Sequence, residues 1–391
     1  MQHAARRGSV SLNKCAAIPV TYDRVMSFSK RSLAALVATP ATLVATLATL
    51  VATLAATLIV QAQPRGPARE ILPLTGDLYR ARNGNWYTIF LVTRDGILLG
   101  DPINPAFATW LKDELGRRFT VPVRYVVYSH SHFDHAAGGA VFADTARFVA
   151  HENMLRNMDG RYPHMPGDMV DRNKNGAIDP DEIDIPTKAA PGVCGMGPGF
   201  FATIDRNKDG LVPPAELQAD IHPPDIVYSE RMRITLGGRT VDLIYPGLNH
   251  SDDATVMHFR DERVVFATEF LADALVTTNP RSLPSTCSAF DRHPLSEWIR
   301  SYRTVEALDF DRVAPGHGDV FDKAVVTETR EYFEYLVAQV SAGIRSGRPL
   351  ADLKETITLE RYKGWANYER LRRMNVEAAY VNLTSRPAPR P

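Results

Sequence analysis

At 391 residues the chain is long enough to bury a sizeable core and to form one large domain or two. Its 45 basic and 45 acidic residues cancel, so net charge gives no support to a nucleic-acid partner or an anionic membrane surface. A hydrophobic content of 45% is ordinary for a globular protein and by itself names no function.

Residues 1–63 form an N-terminal extension of different character. Met26 precedes Ser27-Phe28-Ser29-Lys30-Arg31, residues 32–60 carry no charge, and the stretch 41–47 repeats identically at 48–54. A basic start, an apolar run and the small-residue site Val60-Gln61-Ala62 read as a secretory signal that starts at Met26. The run exceeds the usual signal core of about 7–15 residues, and about 20 residues suffice to span a bilayer. An uncleaved membrane anchor made by residues 32–60 is therefore the alternative. The repeat is apolar all round and lacks charged flanks, which argues against a heptad coiled coil. On either reading the remainder is expected outside the cytoplasm, periplasmic or extracellular. Cys15 lies upstream of Met26, which leaves Cys194 and Cys287 as one disulfide or as two unrelated buried thiols.

Residues 64–70 read as a short polar linker. Residues 78–80, 86–93 and 96–100 alternate or cluster apolar side chains around Asn83-Gly84-Asn85 and Asp95-Gly96 turns, the pattern of antiparallel strands. Helical spacing follows over 107–119, and the β-branched and aromatic run 123–128 reads as a buried strand. That strand leads straight into Ser129-His130-Ser131-His132-Phe133-Asp134-His135. A tight loop there can turn His130, His132, Asp134 and His135 into one concave mouth. Imidazole suits zinc, and three nitrogen ligands with an open fourth position make a catalytic rather than a structural site. A histidine-rich polar loop is the bland alternative, but four ligand-type side chains at this spacing are rare by chance.

His-x-His-x-Asp-His resembles the signature of the metallo-β-lactamase superfamily, which implies an α+β fold, an αββα sandwich with one or two metals at the edge between its sheets. The resemblance implies two further isolated histidines and a carboxylate at strand ends. The chain supplies His250 in Gly247-Leu248-Asn249-His250-Ser251-Asp252-Asp253, Glu269 after a strand at 264–267, and His317 in Ala314-Pro315-Gly316-His317-Gly318-Asp319. The likeness covers about residues 72–345 apart from one insertion. It implies that His130, His132 and His250 hold a first zinc and that Asp134, His135 and His317 hold a second, with Glu269 between them. Zinc lowers the pKa of bound water towards about 7, and Asp134 is the catalytic candidate that orients the resulting nucleophile. Hydrolysis of an ester, thioester, lactone or β-lactam in a small-molecule substrate follows. Most di-metal members carry Asp where this chain has Glu269, so Asp273 is the competing bridge. Asp101 is either a carboxylate behind the metal loop or a strand-ending turn residue. Two other functions stand beside hydrolysis: an iron oxygenase that oxidises a sulfur compound at the three-histidine site, and a non-enzymatic calcium-binding protein with a vestigial site. The oligomeric state is left open.

The insertion, residues 163–222, carries a second chemistry. Asp171, Asn173, Asn175, Gly176 and Glu182 match the twelve-residue EF-hand calcium loop, and Asp205, Asn207, Asp209, Gly210 and Glu216 match it again. Such a loop places oxygen side chains at alternate positions around one ion. It turns sharply at a glycine in position six, takes a backbone carbonyl from position seven (Ala177 and Leu211), and closes on a bidentate glutamate. Asp179 adds an oxygen at position nine of the first loop, whereas Pro213 adds none in the second. Ile178 and Val212 occupy position eight, where paired loops meet through a short β-bridge. Pro163, Pro166, Gly167 and Pro186 crowd the flanking segments, and residues 189–199 are rich in Gly and Pro. These features suit short staples for up to two Ca²⁺ ions, beside or over the site mouth, rather than a sensor whose long helices swing open.

Beyond the insertion, residues 231–236 and 240–245 read as a hairpin around Gly237-Gly238, and 254–259 with 263–267 as another. The Pro- and Ser-rich loop 281–292 is expected to wall the substrate cleft, and helices are expected at 298–308, 327–344 and 368–381. His151 and His293 read as helix-start residues, and His164, His222 and His258 as surface or packing residues. The layout is thus a first half of the sandwich at 64–162, a second at 223–345, and a C-terminal helical extension at 346–391.

Overall fold

In the computed structural model, which describes residues 67–158, 171, 173–183, 201–271, 279, 281–284 and 293–385, an antiparallel meander comes first. It runs through β1 (Arg69–Thr75), β2 (Leu78–Asn83), β3 (Trp86–Thr93) and β4 (Gly96–Leu99). Helix α1 (Pro105–Arg118) returns the chain to β5 (Val123–Val127), which pairs parallel with β4. The Asn104 side chain caps α1 by accepting the Phe107 N–H at 2.9 Å, with Pro105 in the first turn where its missing donor costs nothing. One helical turn, α2 (Phe133–Ala136), follows β5. Next come β6 (Arg147–His151), α3 (Asn153–Asn157), the insertion helices α4 (Pro180–Ile183), α5 (Phe201–Ile204) and α6 (Pro214–Gln218), and β7 (Ile226–Tyr228) beside β6. The first sheet therefore has seven strands in chain order.

The second sheet has six strands: β8 (Arg231–Leu236), β9 (Arg239–Ile244), β10 (Val256–Phe259), β11 (Val264–Phe266), β12 (Arg312–Ala314) and β13 (Phe321–Asp322). Helix α7 (Leu295–Glu306) connects β11 to its parallel neighbour β12, and α8 (Lys323–Arg345), α9 (Leu350–Thr356) and α10 (Tyr368–Thr384) follow.

Period-two alternation sorts the side chains into three cores. Ile89, Leu91, Leu98, Val127 and Val149 of the first sheet meet Leu243, Met257, Val264 and Phe266 of the second between the sheets. Their chain neighbours Phe90, Ile97, Leu99, Val126 and Phe148 face the other way and pack against Phe107, Leu111 and Leu115 of α1. On the far side Ile244, Val256 and Val265 pack against Trp298, Tyr302, Phe333, Leu336 and Leu371 of the C-terminal helices. The result is the αββα sandwich. Burial on both faces explains why β3 clusters its apolar residues rather than alternating them.

One expectation needs correction. Residues 64–70 are not linker throughout, because Arg69–Thr75 pairs with β2 from Arg69↔Asn83 onward. This strand lies at the sheet edge and Pro73 sits at its register shift, so it lacks the alternation that marks a buried strand. The C-terminal extension is helical over residues 350–356 and 368–384, and its Leu353, Leu371, Val376 and Ala379 are buried in the same core as α8. Every described element falls in one compact unit, Gly66–Pro391. Residues 32–60, Cys194, Cys287, His164 and Asp273 lie outside the described residues. Among the described residues no helix is long and apolar enough to cross a membrane.

Candidate metal centre

The topology brings five strand ends to one edge. β4 and β5 run parallel, β11 and β12 run parallel, and β9 matches β11 in direction through the antiparallel β10. Asp101 follows β4, the histidine loop follows β5, His250 follows β9, Glu269 follows β11 and His317 follows β12. Residues scattered over more than two hundred positions thus meet at the mouth between the sheets.

They meet as two groups that share one carboxylate. His130, His132, His250 and Glu269 offer ligand atoms all within 4.8 Å of one another, and so do Asp134, His135, Glu269 and His317. His132 Nδ1 lies 3.1 Å from His250 Nε2. Glu269 Oε1 lies 2.9 Å from His135 Nε2 and 3.0 Å from His317 Nε2, while Oε2 contacts His250 Nε2. All but Asp134 are buried; the Asp134 side chain keeps 25% exposure and marks the open side. Glu269 has a φ of 55°, a left-handed backbone that an L side chain adopts at a cost of about 1–2 kcal/mol. That conformation sits at the shared position, where four imidazoles surround the carboxylate.

The charge pattern follows from this crowding. Burial disfavours the Glu269 anion, but His250 and hydrogen bonds from His135, His250 and His317 hold its carboxyl well below the usual range. Burial, then the neighbouring His132, keep the His130 imidazole well below its ordinary value. Burial pulls His135 the same way, yet Asp134, Asp101 and Glu269 raise it well above that value.

A second layer aims the rings. Fully buried Asp101 accepts the Ser129 N–H and Oγ–H at 2.7 Å each, and its Oδ2 lies 3.2 Å from His135 Nδ1. His130 Nδ1 lies 2.9 Å from Ser129 Oγ and 3.3 Å from Thr268 Oγ1. His130 Nε2, buried and without a hydrogen-bond partner, is left facing the site. Imidazoles steered through one nitrogen, with the other converging on carboxylates, fit a borderline divalent ion.

Sequence reading missed several supports. Trp86 donates its indole N–H to Asp134 Oδ2 at 3.1 Å, and its backbone forms a bridge with His317. Buried Arg80 donates to the carbonyls of Pro315 and Gly318 on either side of His317, at 2.9 and 2.8 Å. At Gly316 a Cβ would lie 2.6 Å from Thr268 Cγ2 and 3.0 Å from His135 Cε1, so a larger residue there would displace the side chains beside His317. Among these, only the Pro-Gly pair before His317 carries a local signal.

The other histidines stand apart from the centre. His151 ends β6, with Nε2 2.7 Å from the Ser229 carbonyl oxygen, and its Nδ1 accepts the Asn153 N–H that opens α3. His222 stacks on Phe148, His258 Nε2 lies 2.9 Å from the Asp309 carbonyl oxygen, and His293 precedes α7. Of the expected cleft wall at 281–292, only residues 281–284 are described.

The two loops of the insertion share one backbone form. Lys174 and Lys208 at position four have φ of 59° and 60°, and Gly176 and Gly210 at position six have 86° and 85°. Asp171 and Asp205 accept the N–H of Gly176 and Gly210, Asn175 and Asp209 accept those of Ala177 and Leu211, and Glu182 and Glu216 accept those of Asn173 and Asn207. Asp179 Oδ2 accepts from the Asn173 amide at 2.7 Å. Ile178 and Val212 exchange both backbone hydrogen bonds, at 2.9 and 2.8 Å. Among the described residues, neither loop brings three carboxylate or histidine ligand atoms within 4.8 Å of one another, as each histidine group does. A cleft of about 270 Å³ lies where the insertion meets the metal loop, lined by Trp86, Phe133 and Asp134 together with Ile204, Arg206 and Leu217.

Comparison with known proteins agrees with this architecture. A family model described as the metallo-beta-lactamase superfamily matches residues 120–317, just over half of the chain. The 2,4-dinitroanisole O-demethylase subunit alpha of Nocardioides sp. (strain JS1661) is 23% identical over 259 residues, 64% of this chain and 58% of that protein. The stereoselective inverting sec-alkylsulfatase Pisa1 from Pseudomonas sp. is 14% identical, with a TM-score of 0.53 over 82% of this chain and 52% of that one. A double mutant of the sec-alkyl sulfatase PisA1 is 15% identical, with a TM-score of 0.55 over 81% and 50%. The chain thus spans little more than half the length of these relatives, and the structural likeness speaks for the fold alone. With the family model matched across the histidine loop, His250, Glu269 and His317, this chain belongs to the metallo-β-lactamase superfamily.

Proposed function

We propose that the protein is a zinc-dependent hydrolase that holds two ions, one at His130, His132 and His250 and one at Asp134, His135 and His317, with Glu269 shared. The observation that carries this reading is the pair of buried donor groups joined through one carboxylate. Zinc supplies Lewis acidity and lowers the pKa of a bound water towards about 7. Asp134, fixed by the Trp86 indole and partly open to the cleft, orients the attacking oxygen and takes up its proton. Asp101 holds His135, and Ser129 with Thr268 holds His130, so the donors do not reorganise as charge develops. The intact second group favours hydrolysis over a mononuclear iron oxygenase, and the same donors argue against a vestigial site.

The substrates proposed first are an ester, thioester, lactone or β-lactam. The names of the sulfatase and the O-demethylase widen the screen to sulfate esters and aryl methyl ethers. Protein purified without added metal is expected to carry close to two zinc ions, or one tightly held and one weakly. His132→Ala/His250→Ala is expected to lose the first ion and all turnover while circular dichroism stays unchanged. Normal turnover by that variant, or one equivalent of iron with no hydrolysis in the native protein, overturns the reading.

Two further parts belong to the same proposal. The loops at Asp171–Glu182 and Asp205–Glu216 bind up to two calcium ions, supported by their matched backbones and their bridge. The protein is exported, with amino-terminal sequencing of the native form expected to begin near Gln63. A cytoplasmic product that retains residues 32–60 counts against export, and a membrane-bound one supports the anchor.

A further inference from the structure

The insertion is tied to the metal loop at three levels. Ile178, Phe201, Ile204, Val212 and Leu217 form a small core of their own, and the partly buried residue packed against it is Phe133, which lies between His132 and Asp134. Leu217 follows Glu216 directly, in α6. A few residues on, the Asp220 carbonyl accepts the Gly138 N–H at 2.7 Å, and Ile221 bridges to Ala137 at the end of α2. Gln218 also donates to the Asn157 carbonyl at 2.8 Å, and the Tyr128 hydroxyl donates to the His222 carbonyl at 2.8 Å. Both ends of the metal-bearing turn therefore rest on residues that follow the second loop's last ligand.

Among the described residues this small core has five buried side chains, so a bound ion adds a restraint that packing alone supplies only in part. The second loop contains a group in want of a cation. Asp205 is 9% exposed, its Oδ2 accepts the Gly210 N–H at 3.1 Å, and its Oδ1 is buried without a partner; the same holds for Glu216 Oε2. An ion held there would satisfy both oxygens and fix the end of α5 with the start of α6, where Ile204 and Leu217 share a core with Phe133. The path from the ion to Asp134 and His135 runs through packed side chains and backbone hydrogen bonds.

We propose that calcium on the paired loops and zinc at the Asp134–His135–His317 group are thermodynamically linked, each favouring the other by fixing α2 through Phe133 and Gly138. The inference rests on the calcium reading above. Linkage is reciprocal, so the factor by which calcium raises zinc affinity must equal the factor by which zinc raises calcium affinity. A built-in coupling of this kind spans about 5–150-fold.

The test is calorimetry on the full chain stripped of metal. Calcium is titrated with and without saturating zinc, and zinc with and without saturating calcium. Hydrogen exchange is followed over residues 130–138 in zinc-free protein. The expected result is a matched rise of at least about fivefold in both directions, with slower exchange over the metal loop on adding calcium. Glu182→Gln/Glu216→Gln is expected to lose the calcium heat and the protection together. Phe133→Ala, or Leu217→Ala from the other side of the contact, is expected to keep calcium binding and bring the factor towards one. Calcium binding with no change in zinc affinity or exchange overturns the coupling. Absence of calcium heat overturns it together with the calcium reading. Failure of hydrolysis with both ions bound and coupled strikes only the hydrolase proposal.

Discussion

At the scale of single residues the centre turns on Glu269. A glutamate is longer than the aspartate that the family resemblance implies here; it stands on a left-handed backbone, with its carboxylate among four imidazoles. Glu269→Ala is expected to weaken the second zinc by more than the 10–100-fold typical of outer-shell changes, while the three-histidine ion stays bound. Zinc titration of Glu269→Ala and Asp273→Ala decides which carboxylate is shared; loss of the second ion in Asp273→Ala alone reverses the assignment. The candidate donors were legible, because metal chemistry restricts residue type, His-x-His-x-Asp-His leaves a local mark, and the structure brings these side chains together. Arg80 and Trp86 were not. Arg80 reaches carbonyls more than two hundred residues away, and no spacing rule connects an arginine to a backbone oxygen at that distance.

At the scale of elements, β8 and β9 show how charge sets a stability limit. Asp242 pairs across the hairpin with Arg233 and also contacts Arg260. Burial raises its carboxyl, but the two guanidinium groups outweigh burial and hold it below the ordinary range. A carboxyl depressed in the folded state stabilises above its unfolded pKa, and that stability is lost as pH falls through the folded value. Asp242→Asn is therefore expected to cost about 1 kcal/mol at pH 7. The difference from wild type should shrink as pH falls below about 4, as urea unfolding at a series of pH values can show. A constant difference across that range removes the charge from the explanation. The hairpin itself was readable from its Gly-Gly turn. Edge strand β1 was not, because backbone pairing at an edge asks little of the side chains.

At the scale of the molecule, three apolar layers enclose the two sheets, and the last belongs partly to the C-terminal helices. Leu371 is fully buried in α10, in the core shared by the C-terminal helices and the outer face of the second sheet. Leu371→Ala is expected to lower the free energy of unfolding by about 2–5 kcal/mol and to leave zinc content unchanged under native conditions. A loss within about 0.5 kcal/mol, as for a surface site, would make the tail a separate extension after all. The boundary at residue 345 came from the reach of the family resemblance, which says nothing about helices that pack onto the fold from outside it.

The family resemblance implied the two-sheet sandwich and the downstream site residues, while sequence alone determined the histidine-rich loop, the separate strands and the paired loops of the insertion. Each of the last three is set by local rules: ligand chemistry, alternation along a strand, and the glycine and oxygen spacing of a tight loop. Tertiary structure alone decided that Glu269 lies between both histidine groups, that Arg80 and Trp86 clamp the His317 loop, and that Phe133 joins the insertion to the metal turn. Those relations depend on which strand ends share an edge and which side chains fill the gap between distant segments. Packing settles them, and packing is a property of the whole chain.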